Sequence, residues 1–216
     1  MNLADIRHPF ARTNAQTIRQ RAVLLKELCT GISSLAEICC GDCKRQYDIY
    51  RSELGILHFR GLDLSRDIVA LNHSRNIPCD LGNALDSRIM RAYLNYDIVF
   101  FSPPLSTDCD GHHLIAFRDV IPGFSDFTQL MMQELNYRGI LVLIGPRTTT
   151  LGDAQWIDHQ VRSFCPDYSL RLLHYSYSTI TGSGEPTEMR LKYVELWYQV
   201  GTEHQWEVRE SKGSDN

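Results

Sequence analysis

Apolar residues recur along this chain with two periods that take turns. From residue 14 to 30, Ile18, Ala22, Leu25 and Leu28 return every three or four positions, which predicts a helix. Residues 34–40 then read as a strand, Gly41-Asp42 as a turn, and 44–54 as a helix closed by Gly55 as a C-cap. A second strand covers 56–63. Ser65 can N-cap a helix that runs to His73, and 77–81 is a short third strand. A helix over 87–94 leads into a fourth strand, Asp97-Ile-Val-Phe-Phe101. Residues 124–135 are helical, with Phe127, Leu130, Met131 and Leu135 on one face. The stretch 139–145, Gly-Ile-Leu-Val-Leu-Ile-Gly, is uniformly apolar, as befits a central strand covered on both faces. A helix over 153–164 is followed by strands over 170–178 and 191–200. The loop Thr181-Gly-Ser-Gly-Glu-Pro186 between them has hairpin chemistry.

Strand and helix thus alternate five times before two strands come together. That order predicts an α/β fold: a doubly wound, seven-stranded, mostly parallel sheet with an antiparallel C-terminal strand pair. No linker or internal repeat divides the chain. A single domain is expected over 1–206, with a basic N-terminal helical segment (1–30) and a polar, disordered tail (207–216).

Composition narrows the class. With 216 residues, 43% hydrophobic and 22% charged, the chain has the make-up of a soluble globular domain with a sizeable core. No apolar run is long enough to cross a bilayer. The first residues lack the apolar core of a signal peptide, so a cytoplasmic location is expected. The seven cysteines are then expected as reduced thiols. A net charge of −4 argues against strong nonspecific attraction to a phosphate backbone. It leaves room for a local basic face. The segment Arg7-His8-Pro9-Phe10-Ala11-Arg12, continued by Arg19 and Arg21, interleaves cations with an aromatic ring, a pattern that suits a nucleic acid. A solvated helix face accounts for it equally well.

The candidate chemistry lies where strands stop. Ser102-Pro103-Pro104 ends the fourth strand abruptly, because each proline fixes φ and removes a backbone donor. The corner so formed leaves fixed acceptors at the carboxyl end of a strand, the edge where open α/β sheets bind ligands. An ordinary strand-ending turn has the same residues. After the first strand, Gly41 lets the backbone approach a ligand closely. Asp63, roughly twenty residues on at the end of the second strand, is placed to hold two vicinal hydroxyls.

These elements resemble a class I S-adenosylmethionine-dependent methyltransferase, over roughly residues 14–200. Glu37-Ile-Cys-Cys-Gly41-Asp-Cys43 is similar to the acid and glycine-rich turn of that family, with Cys43 where a second glycine is usual. Asp63 stands at the ribose-binding acid. Gly82-Asn83-Ala84 looks like the Gly-Asp-Ala motif, with Asn83 in place of the acid that accepts from the adenine amino group; an amide oxygen can also accept there. Ser102-Pro103-Pro104-Leu105 is similar in three positions to the (Asn/Asp/Ser)-Pro-Pro-aromatic motif of amino-methylating members. The resemblance implies S-adenosyl-L-methionine as cofactor, held by Glu37, Cys39, Gly41, Asp63, Leu64, Asn83 and Ala84. Within this set Glu37 is expected to orient the loop. Ser102, Pro103, Pro104 and Leu105 would form the catalytic corner.

The resemblance further implies methylation of a planar amino nitrogen, first of all an exocyclic amine of an RNA or DNA base. The target base would be flipped out and stacked on a ring. Leu105 supplies no ring, so either another ring does, with Phe10, Phe117 and Phe124 as candidates, or the substrate is not a base. Arg12, Arg118 and Arg147 would add phosphate contacts. Alternatives are a protein-amide or small-molecule methyltransferase, and a methyltransferase-like fold that binds without turnover. A thioredoxin-like oxidoreductase using Cys40 and Cys43 is the competing reading of the cysteine-rich turn. No metal is expected: the cysteines lack a second Cys/His pair at ligand spacing, and His112-His113 with Asp108 and Asp110 reads as a solvated loop.

Overall fold

The computed structural model describes residues 15–102, 124–145, 151–180, 188–201 and 207–212. Its elements follow the expected alternation. They are α1 (Ala15–Leu28), β1 (Ser34–Ile38), α2 (Lys44–Leu54), β2 (His58–Asp63), α3 (Arg66–His73), β3 (Cys79–Leu81), α4 (Ser87–Met90) and β4 (Ile98–Phe101). After β4 come α5, β5 (Ile140–Gly145), α6 (Leu151–Phe164), β6 (Tyr168–Ile180), β7 (Glu188–Val200) and β8 (Glu207–Lys212). The helix α5 starts as an α-helix over 124–128 and widens into a π-helix over Gln129–Glu134. Local signals end the elements where the sequence places them. Gly55 adopts φ 68° after α2, and the Ser65 hydroxyl accepts from the Ile68 N–H at the start of α3.

The sheet order is β3-β2-β1-β4-β5-β7-β6-β8. Strands β1 to β5 are parallel, β7 is antiparallel to β5 and β6, and the order in which strands are added across the sheet reverses between β1 and β4. The sheet is covered on both sides. Along β4, Val99 and Phe101 face α4, α5 and α6, while Ile98 and Phe100 face α1, α2 and α3. That double burial is why β4 and β5 carry no polar alternation.

Two expectations need correction. The sheet has eight strands: residues 207–212 of the tail expected to be disordered form the eighth, and 213–216 lie outside the described residues. β8 pairs parallel with Leu172–Tyr177 of β6, and Arg209 on it forms an ion pair with Glu27 of α1. Glu-Val-Arg-Glu-Ser-Lys reads as a solvated tail because an edge strand is kept polar to discourage further pairing. The helix expected over 87–94 is a single α-turn followed by a 3-10 turn, Arg91–Tyr93. The hairpin loop 181–186 lies outside the described residues.

Charge is buried between the sheet and α1. Arg21 is 1% exposed, and its Nε donates to Glu195 Oε1 of β7 at 2.8 Å. Its Nη1 donates to the Tyr50 hydroxyl of α2 at 2.8 Å and lies 3.6 Å from Glu37 Oε1 of β1. Trp197 Nε1 donates to the second Glu195 oxygen at 3.1 Å, and the guanidinium stacks 4.6 Å over Phe100. Burial alone would raise the Glu195 pKa, but Arg21 and His174 more than offset it and hold the carboxyl at about 2. Removing one partner of such a pair strands a buried charge and costs about 3–5 kcal/mol. Arg21→Ala is therefore expected to lower the thermal unfolding midpoint by about 10 °C or more. Arg21→Met paired with Glu195→Gln should lose less than Arg21→Ala alone; an equal or larger loss would show that the charges themselves are not what the core requires.

Candidate functional site at the carboxyl edge

The carboxyl ends of β3, β2, β1 and β4 bring four pieces of sequence side by side. The first is the turn after β1. Cys39 has φ 59° and Gly41 φ 54°, both left-handed. The conformation is free for Gly41, whose added Cβ would meet nothing within 4 Å. For Cys39 it costs roughly 1–2 kcal/mol, and so it persists only where the surroundings hold it.

The second piece is Asp63, the last residue of β2. Its Oδ2 accepts from the Gly41 N–H and its Oδ1 from the Ser65 N–H, each at 2.9 Å. One carboxylate thus ties the β1 turn to the start of α3 and keeps lone pairs for a ligand. The third piece is the β3 end. Gly82 N–H donates to the Asp63 carbonyl at 3.0 Å, and Asn83 Oδ1 accepts from the Leu85 N–H at 2.9 Å in an Asx turn. Asn83 is exposed and Ala84 half-buried. The fourth piece is Ser102, half-buried, whose N–H extends the β1–β4 ladder to the Ile38 carbonyl at 3.1 Å.

Apolar surface lies open along the same edge. Leu64, Leu81 and Leu85 are 74%, 47% and 45% exposed, next to Asp63 and Asn83 in sequence or register. Leu64 is among the sequence-predicted residues; Leu81 and Leu85 are not, since an isolated leucine in a loop gives no signal before its neighbours are known. Their position beside the Asp63 carboxylate sets apolar surface next to a hydrogen-bond acceptor.

The remaining predicted residues divide clearly. Glu37 is 2% exposed and turns into the core toward Arg21, away from the open edge. Burial, opposed by Arg21, pushes its pKa up to about 7. Burial next to Asp63 also pushes the Cys39 thiol up to about 12, so it stays neutral. Phe10, Arg12, Pro103, Pro104, Leu105, Phe117, Arg118 and Arg147 lie outside the described residues, as do Asp108, Asp110, His112 and His113. Phe124 does not supply a stacking ring: it is 1% exposed and packs edge-on to Phe101 at 5.7 Å. Among the described residues no group of three or more His, Cys, Asp or Glu side chains could hold a metal ion.

The dithiol reading fails on both architecture and chemistry. The sheet order is not that of a thioredoxin, and Cys40 and Cys43 are both buried. The Cys40 thiol is held well above its ordinary pKa by hydrogen bonds to Cys43 and Cys79 and by burial. A reactive dithiol needs the opposite, an accessible sulfur with a depressed pKa.

No family model and no curated protein sequence matches the chain. Solved structures do match it in shape. The methyltransferase domain of the bacterial protein CtHen1 superposes with a TM-score of 0.57 at 12% identity, over 87% of this chain and 100% of that one. A candidate RNA methyltransferase of Pyrococcus horikoshii gives 0.55 at 11% identity, over 88% and 87%. TrmN of Thermus thermophilus gives 0.52 at 13% identity, over 88% of this chain and 49% of its own. The fold is that of the class I methyltransferases. In that fold the edge described above is the one the parallel strands open onto, at the switch point between β1 and β4.

The buried Glu37 has a consequence for pH. Folded, it keeps its proton up to about pH 7, whereas its ordinary value is 4.5. Between those values the folded chain binds the extra proton, so stability falls as pH rises through that window. Urea unfolding of the wild type is expected to show this decline from pH 5 to 7.5. Glu37→Gln should flatten it, and a decline that survives the substitution would assign it to another group.

Proposed function

We propose that this chain is an S-adenosyl-L-methionine-dependent methyltransferase acting on a planar amino nitrogen, with an exocyclic amine of an RNA or DNA base as the substrate. The observation that carries the reading is the joined pair of Gly41 and Asp63. A left-handed glycine with open space at its Cα lies hydrogen-bonded to an acid that ends the next parallel strand.

The residues present fit the cofactor. Asp63 offers its remaining lone pairs to two hydroxyls, and the Gly41 turn brings backbone within reach of an amino-acid moiety. Leu64 and Leu85 offer apolar surface to a purine, and Asn83 an amide acceptor. When bound, the cofactor supplies an electrophilic sulfonium methyl, so the protein's task is placement. Ser102, held in line with β1 by its own N–H, accepts a hydrogen bond from the incoming amino group and aims the nitrogen lone pair across the edge. No strong base is required there, because the amino proton becomes acidic only after the methyl has moved.

The nucleic-acid part rests on sequence. The basic, aromatic segment 1–14 immediately precedes α1 in the sequence, and cations interleaved with Phe10 suit a nucleic acid. A similar fold in a candidate RNA methyltransferase agrees with this choice. A protein amide or a small-molecule amine remains the second reading, favoured by the net charge of −4 and by Leu105 in place of a ring.

S-adenosylhomocysteine at a hundred times its Kd should stabilise the protein by about 2.7 kcal/mol and raise its unfolding midpoint by roughly 5–10 °C. Asp63→Ala should abolish that shift; no shift in the wild type at millimolar ligand would sink the reading. With tritiated cofactor and RNA, DNA and protein pools, label is expected in a nucleic acid. Ser102→Ala should slow that transfer about tenfold or more, the worth of one hydrogen bond in the transition state, with cofactor affinity unchanged. Label in protein alone would favour the second reading.

A further inference from the structure

The turn after β1 carries Cys43 where the motif it resembles has a glycine, and it holds a left-handed Cys39 and a left-handed Gly41 two residues apart. Backbone freedom cannot account for that. Something must restrain the turn from outside, and α3 supplies it. Asn72 is fully buried, and its Nδ2 donates to the Gly41 carbonyl at 2.9 Å. The same amide lies 3.8 Å from Cys40 Sγ and 3.7 Å from Cys79 Sγ, which are 3.5 Å from each other. A flipped amide would set its oxygen against the Gly41 carbonyl, two acceptors face to face, so the donor assignment follows from the partner. Among the described residues Asn72 Oδ1 has no hydrogen-bond partner. Leaving a buried acceptor bare costs about 1–3 kcal/mol, a cost that apolar packing at this position would avoid.

The geometry points to Asn72 as a positioning residue for the cofactor turn, an assignment that rests on the methyltransferase reading. Gly41 belongs to two peptide planes. Asp63 fixes the first through the Gly41 N–H. Asn72 fixes the second through the Gly41 carbonyl, and because a trans peptide sets C=O and N–H on opposite sides, drawing that carbonyl inward directs the Asp42 N–H outward. Both dihedrals of Gly41 are thereby set from neighbouring elements, β2 on one side and α3 on the other. Asn72 touches no ligand in this scheme; it acts through Gly41.

Gly61 of β2 completes the arrangement. A Cβ built there would lie 2.7 Å from Cys40 Sγ and 3.2 Å from Cys79 Sγ. The two sulfurs occupy the space that a side chain at position 61 would take, and they form the floor on which Asn72 rests. No sequence motif marks this contact: Asn72, Cys40, Gly61 and Cys79 come from four different segments.

Calorimetric titration with S-adenosylhomocysteine separates positioning from stability. Asn72→Leu keeps the volume and removes the donor; Val69→Ala opens the core on the same helix and keeps the Asn72 amide and its bond to Gly41. Asn72→Leu is expected to raise the Kd about tenfold, the equivalent of one hydrogen bond. It should also speed amide exchange at Gly41 and Asp42 beyond any change at Ile38. Val69→Ala should lower the unfolding midpoint and leave the Kd unchanged. A wild-type Kd in folded Asn72→Leu overturns the assignment and leaves Asn72 a packing residue. If Asn72→Leu does not fold, Gly61→Ala tests the same arrangement by displacing Cys40, with the same loss of affinity expected and an unchanged Kd again overturning it. Absence of binding by the wild type would overturn the methyltransferase reading itself, and this inference with it.

Discussion

The constraint on which the rest depends is a single guanidinium with almost no contact with water. Arg21 reaches from α1 to β7 through Glu195, to α2 through Tyr50 and to β1 through Glu37. Desolvating these groups costs several kcal/mol per ion, and the cost is recovered only with good geometry. The geometry is good where it matters. Two nitrogens of the fork converge on one Glu195 oxygen, Trp197 bonds the other, and Phe100 offers its face. An apolar side chain would fill the volume, but it would tolerate a shift of α1 along the sheet. A charge that must meet three partners does not. It therefore fixes the height of α1 against β1 and β7.

That fixed height is passed upward through β1. Glu37 is the residue held from below, and Cys39 to Gly41 are the residues held from above. Only Ile38 separates them. The turn is thus braced at both ends, by a buried ion at its foot and by Asp63 across its top. At the other edge of the sheet, Asp97 Oδ2 accepts from the backbone N–H groups of Ser33 and Ser34 at 2.8 and 2.9 Å, which staples the amino ends of β1 and β4. Burial raises the Asp97 pKa, but these bonds outweigh it and hold the carboxyl below its ordinary value. Strand β1 cannot slide without breaking one of these ties.

What could be read in the sequence was what depends on near neighbours. The apolar runs of β4 and β5, the Ser65 cap, the Gly55 stop and the spacing from Gly41 to Asp63 are local, and the structure places them as expected. Contacts between distant segments were not legible. Nothing in Glu37 announces Arg21, and nothing in Asn72 announces the Gly41 carbonyl, because each partner lies in another element. β8 was missed for a different reason. Its polar residues are what an exposed edge strand needs, and they are equally what a tail contains. Phe124 shows the converse error. An aromatic residue near a candidate site invites a stacking role, but it stands on the apolar face of α5 with Phe127, and the core claims it.

Cys43 and Asn83 differ from the motifs they resemble, and each difference has a physical reading. Glycine allows a turn to take left-handed angles and leaves room around it, but it does not select one conformation. Cysteine at position 43 narrows the choices and adds sulfur that packs as a small apolar group. The turn is then specified by side chains that reach it from β2 and α3. Asn83 follows the same logic: its carboxamide oxygen already accepts from Leu85 N–H, so its direction is set before any ligand arrives. Each replacement trades backbone freedom for a defined shape. A site built in this way starts closer to the geometry it needs, and less of the binding energy is lost in ordering it.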